Sequence, residues 1–140
     1  MAILRHSQEI ARPPAAVFAA IVDGAAYASW NPTIRASRAV SDGPPGWDSL
    51  FEWDLRGFGW VRQRLEEFEP DRRVRIVPEL RSLRGGHRFT LTDLGGRTRV
   101  DHELEMTPLG KYRLIGPLMT MTGRRNLRAT AEALQRHFEG

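Results

Sequence analysis

The candidate chemistry of this chain begins with a histidine inside the stretch RTRVDHELEM, Arg97 to Met106. Arg97, Arg99, Asp101, Glu103 and Glu105 alternate there with Thr98, Val100, His102, Leu104 and Met106. Side chains alternate faces along a β-strand, so one face of this segment is charged and the other apolar. His102 falls on the apolar face. Desolvation there disfavours the imidazolium, so the ring is expected to be neutral at pH 7. A neutral imidazole carries one donor and one acceptor nitrogen, and each needs a partner when buried. The expected partner is a neighbouring polar side chain, a water or a bound ligand. Such a ring can orient a ligand carbonyl or hydroxyl, or act as a general acid or base if its pKa lies near the working pH.

Other chemistries find less support. The chain has no Cys, which excludes disulfides, thiolate metal sites and cysteine nucleophiles. His6, His87, His102 and His137 show no ligand spacing of the HExxH kind, so no metal is expected. His87 shares a face with His102 by parity, but it stands beside Gly86, where a strand end near solvent is expected. Glu52, Asp54, Glu66, Asp101 and Glu103 are expected to meet arginines across the strands and to face water. No nucleophile elbow, phosphate loop or dinucleotide fingerprint is present, so no cofactor is expected.

The elements that must position His102 follow from periodicity. ARPPAAVFAAIVDG reads as a short helix, begun at Pro13 and Pro14, ended at Gly24, and apolar along Val17, Phe18 and Ile21. AAYASWNP adds a helical turn or two, stopped at Asn31-Pro32. From Thr33 onward turn signals at DGPPG, RGFG, EPD, RGG and LGG separate strands. Folding at Gly95-Gly96 sets Arg88 opposite Glu103, Leu91 opposite Val100 and Phe89 opposite His102. Folding at Gly57-Phe58-Gly59 sets Asp54 opposite Arg62, Glu52 opposite Arg64, Phe51 opposite Leu65, Trp53 opposite Gln63 and Leu55 opposite Val61. Both hairpins then bring charge to one face and apolar groups to the other, as cross-strand pairing favours. The dry face should carry Phe51, Trp53, Leu55, Leu65, Phe89, Leu91, Val100, His102 and Leu104. After Pro108-Leu109-Gly110 the period becomes helical. Thr120, Gly123, Leu127, Ala131, Leu134 and Phe138 share one side of a helix about 33 Å long between Pro117 and Phe138.

The bulk properties bound the setting. With 140 residues, 41% of them hydrophobic, the chain fits one domain over residues 1–140 and can bury a core. No apolar run approaches the ~20 residues of a membrane span. The N-terminus lacks the apolar core of a signal peptide, and a cytoplasmic protein is expected. The formal net charge is +4 and the pI near 10.5. However, 20 of the 21 basic residues are arginines scattered among 17 acids, with no nucleic-acid-binding module among them, so no specific nucleic-acid partner is expected.

The order is a strand, two short helices, about six antiparallel strands and one long C-terminal helix. With it go EIARPPAAVFAAIVDGAAYASWNP (Glu9–Pro32), EFEPDRRV (Glu67–Val74), GGRTRVDHELEMTPLG (Gly95–Gly110) and the terminal RRNLRATAEALQRHFE. In these features the chain resembles the START-like helix-grip superfamily, and especially its bacterial polyketide cyclase/dehydrase and lipid-transport (SRPBCC) branch. The resemblance covers nearly the whole chain; its motifs are mostly packing and turn residues.

The resemblance implies an α+β fold in which a curved antiparallel sheet of about seven strands wraps around the C-terminal helix, leaving a cavity for an apolar or polycyclic ligand. It also implies that the first strand pairs with the last, which brings His6 beside His102. Trp30 matches a recurring tryptophan of the family motif and is expected to pack at one end of the cavity. The ligand-binding set expected on this basis is His102, Trp53, Phe89, Phe51, Gln63, His6, Thr120, Gly123 and Trp30. Thr120 and Gly123 are the small residues that would leave room beside the helix. The expected function is binding of a hydrophobic small molecule of lipid, polyketide or polycyclic type, by a monomer or homodimer. One rival is an aromatase/cyclase-like enzyme, for which His102, His6, Gln63, Tyr27 and Thr120 supply few polar groups. The other is an interaction module that turns the arginine-rich face of the helix to an acidic partner or a membrane surface.

Overall fold

The computed structural model describes residues 1–139. Strand β1 (Ala2–Ile10) is followed by α1 (Pro14–Val22), which starts on Pro13 and Pro14, and by a 3-10 turn over Gly24–Ser29. Six strands follow in succession: β2 (Ile34–Ala39), β3 (Leu50–Leu55), β4 (Gly59–Glu69), β5 (Arg73–Pro78), β6 (Leu83–Asp93) and β7 (Thr98–Pro108). A second 3-10 turn, Gly110–Ile115, leads into α2, Gly116–Glu139. The strands form a single antiparallel sheet in the order β1-β7-β6-β5-β4-β3-β2, so β1 returns to pair with the last strand. Irregular registers near Glu66 in β4 and Ile34 in β2 mark β-bulges, which bend and twist a sheet.

The expected dry face is the concave one. Phe51, Trp53, Leu65, Phe89, Leu91, Val100, His102 and Leu104 are buried and Leu55 is half-buried, whereas Arg62 is exposed and Arg64, Arg88, Asp101 and Glu103 are half-buried. The β6–β7 hairpin pairs as the sequence predicts, with Arg88 opposite Glu103, Phe89 opposite His102 and Leu91 opposite Val100.

The β3–β4 hairpin differs by two residues. Glu52 lies opposite Arg62, Phe51 opposite Gln63 and Trp53 opposite Val61. The turn is tighter than expected: the Phe58 amide donates to the Leu55 carbonyl, and Gly57 and Gly59 both adopt positive φ. A side chain would strain either position. The faces survive because a two-residue slip preserves parity. Glu52 therefore pairs with Arg62 and Arg38 rather than Arg64, and those partners hold its carboxyl below the usual range, the Arg38 hydrogen bond foremost. Asp54 lies opposite Trp60, not an arginine.

Helix α2 packs against β1 and β7 and buries Gly123, Leu127, Thr130, Ala131, Ala133 and Leu134. Two apolar clusters result. The larger joins α1, Tyr27, Phe51, Trp53, Leu65, Phe89 and Leu134; the smaller joins Leu4, Leu104, Met106 and Leu127.

Candidate functional site

The inward row of β7 runs Val100, His102, Leu104, Met106, and His102 stands where the two clusters meet. Register places His6 of β1 on one side of it and Phe89 of β6 on the other. His87 lies two residues before Phe89 and so shares the concave face. Its Nδ1 is 2.8 Å from His102 Nε2, a hydrogen bond in which one ring donates and the other accepts. The Phe89 ring stacks on His102 with centroids 4.1 Å apart.

Burial is graded across these three strands: His6 is exposed, His102 is 2% exposed and His87 is half-buried. Burial holds His102 well below the ordinary histidine range, with smaller contributions from His87 and His6. Burial also pushes His87 down to about 4; the ring retains some surface, but protein atoms enclose most of it. At neutral pH the pair is therefore uncharged. It can present one donor and one acceptor to a polar group on an apolar molecule. A base with a pKa near 4 is poorly matched to proton transfer at pH 7, where a catalytic pKa close to the working pH is favoured.

His87 is thus misplaced in the sequence reading. It is not at a strand end beside solvent, because β6 extends four residues further back, to Leu83. The parity signal was present; the strand's start was not legible.

The other expected site residues separate into two groups. Trp53, Phe51 and Trp30 belong to the larger cluster. The Trp53 indole donates to the Gly24 carbonyl at 2.9 Å and stacks on Tyr27, and Trp30 packs against Tyr27 and near His137. Gln63 is buried on the concave face opposite Phe51. Tyr27 is 1% exposed, and its hydroxyl is one of two buried side-chain atoms without a hydrogen-bond partner among the described residues. Burial raises its pKa, so it stays protonated.

Thr120 lies at the other end, on the wall of an open groove of about 620 Å³ that Met106, Pro108, Leu109, Arg113 and Gly116 also line. Gly123 does not border that groove. A Cβ built there would contact Met106 Sδ and lie 3.3 Å from Leu104 Cδ2, so its smallness serves close packing of α2 on β7. Met106 both meets the Gly123 position and lines the groove, so it stands between the two. Along β7, Met106 is about 13 Å from His102.

Among the described residues, no three His, Asp or Glu side chains converge as a metal site would require. No helix of the described residues is long and apolar enough to cross a membrane.

A family model described as polyketide cyclase / dehydrase and lipid transport matches residues 1–139. A START superfamily protein from Mycobacterium smegmatis superposes with a TM-score of 0.75 at 20% identity, over 98% of this chain and 97% of that one. The Zhui aromatase/cyclase from a Streptomyces species gives 0.80 at 15% identity, over 99% and 93%. The di-domain ARO/CYC protein BexL gives 0.80 at 14% identity, over 99% of this chain and 47% of that one. At these identities the likeness to solved structures is one of fold. No curated protein matches the sequence significantly.

Proposed function

Since this chain belongs to the polyketide cyclase/dehydrase and lipid-transport family, we propose that it binds a hydrophobic small molecule between the concave sheet face and α2. The observation that carries this reading is the neutral His102–His87 pair, a hydrogen-bonded polar contact on a face whose other buried residues are mostly apolar. Small-molecule sites combine apolar walls with a few placed polar groups in this way. The molecule enters from the groove at Thr120. Met106 is the plug: an unbranched thioether side chain repacks more readily than a branched or aromatic one. The family and the aromatase/cyclase relatives also suggest a cyclase. The low basicity of both histidines favours orientation of a ligand over proton transfer.

Native mass spectrometry of the purified chain, followed by extraction, should reveal a bound apolar molecule. Replacing His102 by Phe keeps the stacking surface and removes the polar contact. Affinity for the extracted molecule should then fall on the order of tenfold, the value of one buried hydrogen bond. Unchanged affinity would reduce His102 to a structural residue, and turnover of a polyketide substrate would overturn binding as the function.

A further inference from the structure

The turn Gly110–Ile115 and the first turns of α2 carry an apolar surface that the ligand site does not use. Leu114 is 88% exposed, Leu118 53%, Met121 45% and Ile115 44%. Leu114, Leu118 and Met121 are spaced four and three apart, as along one side of a helix. Water is a poor environment for four large apolar side chains grouped in eight residues, and a patch of this kind marks an interaction surface.

The charge around it identifies the partner. Between Glu105 and Glu132 the sequence has no acidic residue and five cations: Lys111, Arg113, Arg124, Arg125 and Arg128. That exceeds the net charge of the whole chain, +4. Among the described residues none of the five is in an ion pair, whereas nine arginines elsewhere pair with acids. Protruding apolar side chains set among unpaired cations are the pattern of a segment that lies in the plane of a membrane interface. The apolar tips enter the acyl boundary while long cationic side chains reach the headgroups.

We infer that the segment from Lys111 to Arg128 docks this protein on an anionic lipid bilayer. A second copy of the chain fits the surface poorly, since docking would bring ten like charges together. The position relative to the groove is consistent with a role in exchange. Arg113, Gly116 and Thr120 of the same segment line the groove, so docking would hold its mouth close to lipid. Docking itself does not depend on what the concave site holds, and it is measured without added ligand.

The test is cosedimentation of the full chain with vesicles of phosphatidylcholine, with and without phosphatidylglycerol. Binding should require the anionic lipid and weaken as salt is raised. The Leu114→Ser/Leu118→Ser and Arg124→Glu/Arg125→Glu variants should each bind at least about tenfold more weakly. All four side chains are exposed, so the melting temperature should hold, and circular dichroism checks the fold. Failure to bind anionic vesicles overturns the inference, as does equal binding to neutral ones. Unchanged binding of the leucine variant would leave only nonspecific attraction to a basic surface, which also overturns it. A dimer in sedimentation that Leu114→Ser dissociates would make a second copy the occupant instead.

Discussion

The two halves of the space under α2 are built from the same sheet and the same helix, yet they differ in how completely they are filled. Toward the C-terminus of α2, Tyr27 packs against both Trp30 and Trp53, the Trp53 indole is tied to Gly24, and Leu134 is buried in the same cluster at 1% exposure. Asn31 fastens the adjoining turn to the helix through Thr130 at 3.1 Å. Toward the N-terminus of α2, the core is reduced to Leu4, Leu104, Met106 and Leu127, and the groove opens beyond it. The histidine pair lies at the junction. The difference shows where stability and adaptability reside: stacked rings in a large cluster at one end, a four-residue aliphatic and thioether cluster beside an open groove at the other. Loosely packed regions open at low free energy, which a binding site requires.

Leucine truncation should show the contrast most strongly. Leu134→Ala should cost about 4 kcal/mol and Leu127→Ala about 2 kcal/mol in urea unfolding, because the smaller cluster can collapse into the space left. Equal costs would erase the distinction between the halves.

Two of the close-packed glycines, one in each half, sharpen it. At Gly24 an added Cβ would meet the buried Phe51 ring, and at Gly123 the flexible end of Met106. Gly24→Ala should therefore destabilise by about 2 kcal/mol through overpacking. Gly123→Ala should change stability by less than about 1 kcal/mol, because the gain in helix propensity offsets the displacement of Met106. Thermal melts of the two variants decide this.

The junction predicts a pH dependence. Both histidines titrate lower in the folded state than the ordinary value near 6.5, and His87 titrates near 4. The unfolded chain thus takes up protons first as pH falls, and the stabilisation present above 6.5 is lost progressively toward 4. Over that window the wild type should lose about 1–3 kcal/mol more than the His87→Phe/His102→Phe variant, read from unfolding curves at several pH values. Parallel curves would mean that the pair is not desolvated.

The smallest effect is expected at Tyr27. Its hydroxyl is buried without a partner, so Tyr27→Phe should leave the ligand-free protein unchanged or stabilise it by up to about 1 kcal/mol. If Tyr27→Phe also weakens binding of the extracted ligand, the hydroxyl is a ligand contact and the filled half contributes to the site. Unchanged binding confines the site to the histidines and the open half.

The sequence by itself determined the faces of the sheet, the order of elements, the β6–β7 register and the amphipathic C-terminal helix. These follow from periods of 2.0 and 3.6 residues and from the two-glycine turn at Gly95-Gly96, all of them local properties of the chain. The β3–β4 register was not determined, because alternation with a period of two is blind to a two-residue slip; the turn at Gly57 and Gly59 settled it. Nor could pattern distinguish a glycine that leaves room from one that permits contact. Gly123 permits contact, and only the approach of Met106 and Leu104 decides that. His102 was legible as a buried histidine, but its partner was not. His87 lies 15 residues away, and the two rings meet through strand pairing and the lengths of β6 and β7. Tertiary structure decided which polar groups share a bond and which apolar ones remain unpartnered, because both depend on distances that no local period encodes.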